Sequence, residues 1–188
     1  MDKKRVKKEI RDWLLLIGVA VLLYTTGWYK DLAGWIQRGA LETGLFTPSI
    51  TEEVIEAEYA FDLIDSNGDI VPFSTFQSET IFLNIWATWC PPCIAEMPDI
   101  HDLYEKTGDQ VTFVMISVDD DPEVALSYLQ RMEYDFPVFF LKDHLPTVFA
   151  SSTIPTTYVI SPDGHIVVTQ RGMSKYDSEE FRTFLLGL

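Results

Sequence analysis

Residues 81–98 read Ile81-Phe82-Leu83-Asn84-Ile85-Trp86-Ala87-Thr88-Trp89-Cys90-Pro91-Pro92-Cys93-Ile94-Ala95-Glu96-Met97-Pro98, and the handover at Cys90 decides the fold. From Thr80 to Trp89 the chain is apolar without alternation, as expected of a strand buried on both faces of a sheet. A helix is predicted to open at Pro91 and to end near Gly108, because prolines suit a first turn that needs no backbone N–H. Cys90 then stands at the junction, its sulfur over the unpaired N–H groups and the positive end of that helix, which favour thiolate over thiol. Cys93 follows one helical turn later. A lone pair at this spacing also suits half a zinc site, so the context argues for exchange chemistry: an activated first thiol, a stiff diproline spacer and a sheltered second thiol. Cys90, as an exposed thiolate, would attack a substrate disulfide. Cys93 would then attack Cys90 to release the product, and the same steps reversed would oxidise a dithiol.

Outward from this junction, strands and helices alternate. Residues 59–76 predict a hairpin turning at Asn67-Gly68. Beyond Gly108 come a strand over 111–118, a helix over 122–132 and a short strand over 137–141. A hairpin of 156–160 and 165–170 turns around Ser161-Pro162-Asp163-Gly164, and a helix over 177–186 closes the chain. The expected class is α/β, a central mixed sheet flanked by helices, with parallel central strands, an antiparallel edge and an N-terminal hairpin extension.

At 188 residues, 47% of them apolar, the chain is long enough for one domain and an appendage. Its net charge of −15 is unevenly spread. Residues 1–12 carry Lys3, Lys4, Arg5, Lys7, Lys8 and Arg11 against Asp2, Glu9 and Asp12, a net +3, which leaves −18 on the other residues. So acidic a body repels phosphate backbones, and no nucleic-acid partner is expected. The two cysteines lie too close together to form a structural framework.

Residues 13–29 are seventeen uncharged residues, about 26 Å as a helix, against a hydrocarbon core of about 30 Å. A cleavable signal peptide would have a run of about 7–15 apolar residues ending in a small-residue site. Here the run ends in Gly27, Trp28 and Tyr29, which suit an interfacial aromatic belt, so an uncleaved single-pass anchor is expected. With the basic tail in front, the N-terminus stays cytoplasmic and the cysteines work on the periplasmic or other extracytoplasmic side. Residues 30–56 are expected to be a juxtamembrane helix followed, over 48–56, by a solvated acidic linker, with the folded domain over 57–188.

The segment 84–98, together with Ile154-Pro155-Thr156-Thr157 some sixty residues on, resembles the thioredoxin superfamily, and more narrowly the TlpA/ResA-like membrane-anchored oxidoreductases. The resemblance covers about residues 57–188. It implies a cis Ile154-Pro155 bond beside the sulfurs and a substrate face made by Trp89, Pro91, Pro92, Ile154 and Pro155, where an extended peptide pairs with the Ile154 backbone. It also implies that Glu96 tunes the proton chemistry of Cys90 and Cys93. Two departures from ordinary thioredoxin bear on that role. Asn84 stands where a buried aspartate is expected, and Ile94 where a basic residue often follows the second cysteine. Asn84 takes no proton, which leaves Glu96 as the nearest acid, against the alternative of a solvated helix residue. Trp86 is expected in the core, and Thr88 as a spacer without a role.

The resemblance further implies protein disulfides as substrates, a membrane electron-donor protein, and reduction as the direction, for example in cytochrome c maturation. No cofactor and no metal are expected. The alternatives are a disulfide-donating oxidase of the same fold, a peroxidase, an inactive scaffold and a copper or zinc carrier using Cys90 and Cys93. The carrier would need a third ligand from His101, His144 or His165.

Overall fold

The strand Ile81–Trp86 (β4) carries no polar alternation because both its faces are covered, and all six residues are buried. It lies between Thr112–Ser117 (β5), to which it is parallel, and Thr156–Ile160 (β7), to which it is antiparallel. In this computed structural model, residues 9, 12–14, 17–18, 48 and 50–188 are described. Residues 50–188 add Ile50–Glu56 (β1), Asp62–Asp65 (β2), Ile70–Pro72 (β3), Val138–Leu141 (β6) and His165–Arg171 (β8), giving one sheet in the order β1-β8-β7-β4-β5-β6-β2-β3. The helix Pro91–Thr107 (α1) joins β4 to β5, and Pro122–Met132 (α2) joins β5 to β6, which is parallel to β5. Both crossovers step the same way along the sheet, so right-handed connections place both helices on one face.

That face packs Phe82, Trp86, Phe113 and Met115 against Met97, Ile100 and Leu103 of α1, Leu129 of α2, and Phe181 and Leu185 of Glu179–Leu186 (α3). The described cover of the opposite face contains no α-helix. There Leu83, Ile85, Val114, Ile116 and Tyr158 lie under Phe61, Phe73 and Phe149, which come from a loop and two single 3-10 turns, Phe73–Phe76 and Thr147–Phe149. Their rings interlock, with Phe61 stacked on Phe73 at 4.5 Å and Phe149 edge-on to Phe73 at 5.9 Å.

Both hairpins form where Asn67-Gly68 and Asp163-Gly164 predict them, with Gly68 and Gly164 each at φ +86°. The Asp65 carboxylate accepts from the backbone N–H groups of Asn67 (2.8 Å) and Asp69 (2.9 Å), closing the first turn. The expected linker over 48–56 is corrected from Ile50 onward. Residues 50–56 pair antiparallel with β8, with a register irregularity between Ile50 and Ile55, so the folded unit begins before residue 57. Glutamates in this stretch suggested a solvated linker, but charge is also how an edge strand resists pairing with a further chain. The expected juxtamembrane helix and most of the expected anchor lie outside the described residues. Among those described, no helix is long and apolar enough to cross a membrane.

Candidate active site

Past Trp86 the chain turns through Ala87, Thr88 and Trp89, and Cys90 becomes the N-cap of α1, in extended backbone geometry (φ −100°, ψ 103°). Its Sγ accepts from the Cys93 N–H at 3.3 Å, with Pro91 and Pro92 filling the first turn between them. The two cysteines are joined by a disulfide, with Cα atoms 5.3 Å apart. Cys93 is fully buried, and Cys90, expected to be exposed, is only 4% exposed in this oxidised pair. Part of its cover is Ile154, whose carbonyl oxygen lies 3.6 Å from Cys90 Sγ and whose bond to the buried Pro155 is cis. Trp89 stands beside the pair, 53% exposed. Pro91, Pro92 and Ile154 are half-buried around it, so the residues assigned to a substrate face from sequence lie together at one end of the sheet.

Glu96 is fully buried, which excludes the solvated reading. It lies three residues beyond Cys93 on α1, hence on the same helix face. Its Oε1 accepts from Asn84 Nδ2 (2.9 Å) and its Oε2 from the Ser174 backbone N–H (3.1 Å). Burial pushes its carboxyl up to about 8, against the pull of those two hydrogen bonds, and the nearby charge of Asp99 adds to the rise. Asn84, at the position where an acid was expected, thus supports an acid supplied from the helix. Its Nδ2 also donates to Thr157 Oγ1 (2.8 Å), to which the fully buried Tyr176 hydroxyl donates at 2.7 Å. One turn beyond Glu96, Asp99 accepts from the backbone N–H groups of Tyr176 and Asp177. Two carboxylates of α1 thereby fasten the segment after β8.

Ser174, Tyr176 and Asp99 went unread in the sequence, and Thr157 was read only as part of the Ile154–Thr157 segment. Thr88 and Asp119 form a second contact that was missed. The Asp119 carboxylate accepts from Thr88 N (3.0 Å), Thr88 Oγ1 (2.6 Å) and Ser117 Oγ (2.9 Å), tying the exit of β5 to the turn before Cys90. Thr88, expected to be a mere spacer, is the residue held. The available signal was topological: loops following parallel strands converge at their carboxyl ends, where ligands of open α/β sheets bind. The histidines considered for a metal carrier are dispersed. His101 bonds Asp135 at 3.1 Å, with Asp102 and Glu105 close by; His165 pairs with Asp163 at 2.9 Å beyond the far end of β7; and His144 lines a cleft with Tyr59 and Asp143.

The sequence profile of the Redoxin family matches residues 45–184. The chain is 30% identical over 181 residues to the thiol-disulfide oxidoreductase ResA of Oceanobacillus iheyensis, covering 95% of this chain and 88% of that protein. Against ResA of Bacillus subtilis the identity is 28% over 172 residues, 90% of this chain and 88% of the other. Among solved structures, a thioredoxin-family thiol:disulfide interchange protein of Chlorobium tepidum superposes with a TM-score of 0.58 at 24% identity, over 76% of this chain and 97% of that one.

Proposed function

The chain belongs to the Redoxin family and is a ResA-like thiol-disulfide oxidoreductase, and from that premise we propose that it reduces protein disulfides on the outer side of the cytoplasmic membrane. Cys90, as thiolate, attacks one sulfur of the substrate disulfide. The substrate S–S bond breaks, a mixed disulfide forms and one substrate thiolate leaves. Cys93 passes its proton to the Glu96 carboxylate and attacks Cys90 Sγ. The second substrate thiolate departs, and two electrons have moved from the cysteine pair to the substrate, leaving the Cys90–Cys93 disulfide. A membrane electron-donor protein then reduces that disulfide for the next cycle.

One observation carries the exchange chemistry in this reading: an acid sits buried on α1 one turn beyond the resolving cysteine, with a proton affinity raised toward the working range of a general base. The peptide is received between Trp89 and the Ile154 backbone. Support for the anchor comes from the sequence of residues 13–29 and from Trp13, Leu14 and Ile17, which are helical and more than half exposed. Cytochrome c precursors are the proposed substrates, on the strength of the family resemblance.

Equilibrating the full-length protein in defined thiol–disulfide buffers and reading the Cys90–Cys93 state by alkylation tests the direction. A potential well below the poise of the compartment agrees with a reductase that must be fed electrons. A potential well above it makes the chain a disulfide donor and overturns the proposal.

A further inference from the structure

Glu96 presents both carboxyl oxygens to N–H donors, Asn84 Nδ2 at 2.9 Å and Ser174 N at 3.1 Å. An ionised carboxylate only accepts, and it satisfies both. A carboxylic acid carries an O–H that needs an acceptor of its own, and a backbone N–H cannot become one. Asn84 can, because half a turn of its amide exchanges N–H2 for carbonyl at the same place. Its other neighbour allows the exchange. Thr157 Oγ1, 2.8 Å from Asn84 Nδ2 and 2.7 Å from Tyr176 Oη, is a hydroxyl and donates or accepts by rotating. In the orientation present, Asn84 Oδ1 is buried without a hydrogen-bond partner. After half a turn the N–H2 takes that unpartnered place, so neither orientation satisfies the whole amide and neither is locked.

We infer that Asn84 is a positioning residue whose amide turns over with the proton on Glu96, donating to the carboxylate and accepting from the acid, while the Thr157 hydroxyl reorients with it and goes on accepting from Tyr176 Oη. Asn84 would therefore set how readily Glu96 takes and returns the proton of Cys93. That use rests on the function proposed above; the coupling itself does not. The ionisable groups acting on Glu96 are Asp99 from α1 and Tyr176 from the segment after β8, with Asp177 and Lys175 acting through Asp99, and Cys93 shares its helix face. In the oxidised protein Cys93 does not titrate, which isolates the Glu96 event.

The test is nuclear magnetic resonance of the oxidised full-length protein from pH 4 to 10, following the Glu96 carboxyl carbon and the Asn84 side-chain amide. The expected result is one shared midpoint, with amide-proton contacts to the Thr157 side chain present above it and lost below it. In Asn84→Leu, which removes the donor, the Glu96 midpoint rises by a unit or more. An Asn84 amide that stays still through the Glu96 titration, moves at another midpoint, or keeps its Thr157 contacts throughout overturns the inference, and the wild-type titration decides this even where the variant fails to fold. A Glu96 midpoint near the ordinary carboxylate value, with Asn84 following it, instead removes Glu96 as the proton acceptor and leaves the coupling standing.

Discussion

In the proposed cycle Glu96 takes and returns a proton at a fully buried position, and its neighbours oppose each other in setting how easily it does so. Burial favours the acid, while the N–H groups of Asn84 and Ser174 favour the carboxylate. General-base catalysis by a well-placed carboxylate is worth about 10²–10⁴ in rate. Glu96→Gln should therefore slow resolution of the mixed disulfide by about 10²-fold or more and remove the inflection near pH 8 from its rate profile, as measured by stopped-flow kinetics. A variant with unchanged rate and profile would show that Cys93 loses its proton elsewhere. The same group gives a stability prediction. Its folded-state affinity is raised above the ordinary 4.5 to about 8, so between those values the folded chain holds a proton that the unfolded chain has released. Stability must then fall as pH rises through that window, by at most about 1.4 kcal/mol per pH unit. Urea titrations at pH 5, 6, 7 and 8 should show wild type losing ground to Glu96→Gln, and a constant difference would contradict the raised affinity. At this scale the cysteine pair was legible because its spacing is local. The bonds from Asn84 and Ser174 to Glu96 were not, because they join residues 12 and 78 positions apart.

Elements were legible where their periodicity was strong. The buried strand β4, helices α1 and α2, and both glycine turns follow from apolar patterning and turn chemistry. β1 was not, because glutamates in an edge strand resemble those of a linker. The aromatic cover of the face opposite α1 and α2 was also hidden: Phe61, Phe73 and Phe149 come from irregular segments with no period to read. Phe73 is fully buried at the centre of that cluster, and truncating it leaves a cavity that, among the described residues, no α-helix lies over to fill. Phe73→Ala should cost about 3–5 kcal/mol in denaturant unfolding, and a loss below about 1 kcal/mol would mean that the face relaxes freely. The clamp between the exit of β5 and the turn before Cys90 makes a separate prediction. Asp119→Ala frees Thr88 N and Oγ1, so the turn carrying Trp89 loses its anchor. The KM for a protein disulfide should rise several-fold with a smaller change in kcat. An equal fall in kcat with KM unchanged would place Asp119 in the chemistry rather than in positioning.

The whole molecule separates its charge: a basic tail at one end and −18 on everything after residue 12. Such a field speeds encounters with basic partners and is screened over about 10 Å at 0.1 M salt. Reduction of a cationic protein disulfide should therefore slow by about tenfold between low and high ionic strength, while a neutral peptide disulfide is reduced at a constant rate. Equal salt responses would rule out electrostatic steering. In the proposed cycle Cys90 attacks and Cys93 resolves, and mixed-disulfide trapping separates the two roles. Cys93→Ser, reduced and mixed with a disulfide-bonded protein substrate, should accumulate a covalent complex through Cys90, visible on non-reducing gels and released by dithiothreitol. Cys90→Ser should accumulate none, because Cys93 is fully buried. Accumulation through Cys93 in Cys90→Ser, with none through Cys90 in Cys93→Ser, would contradict the assignment.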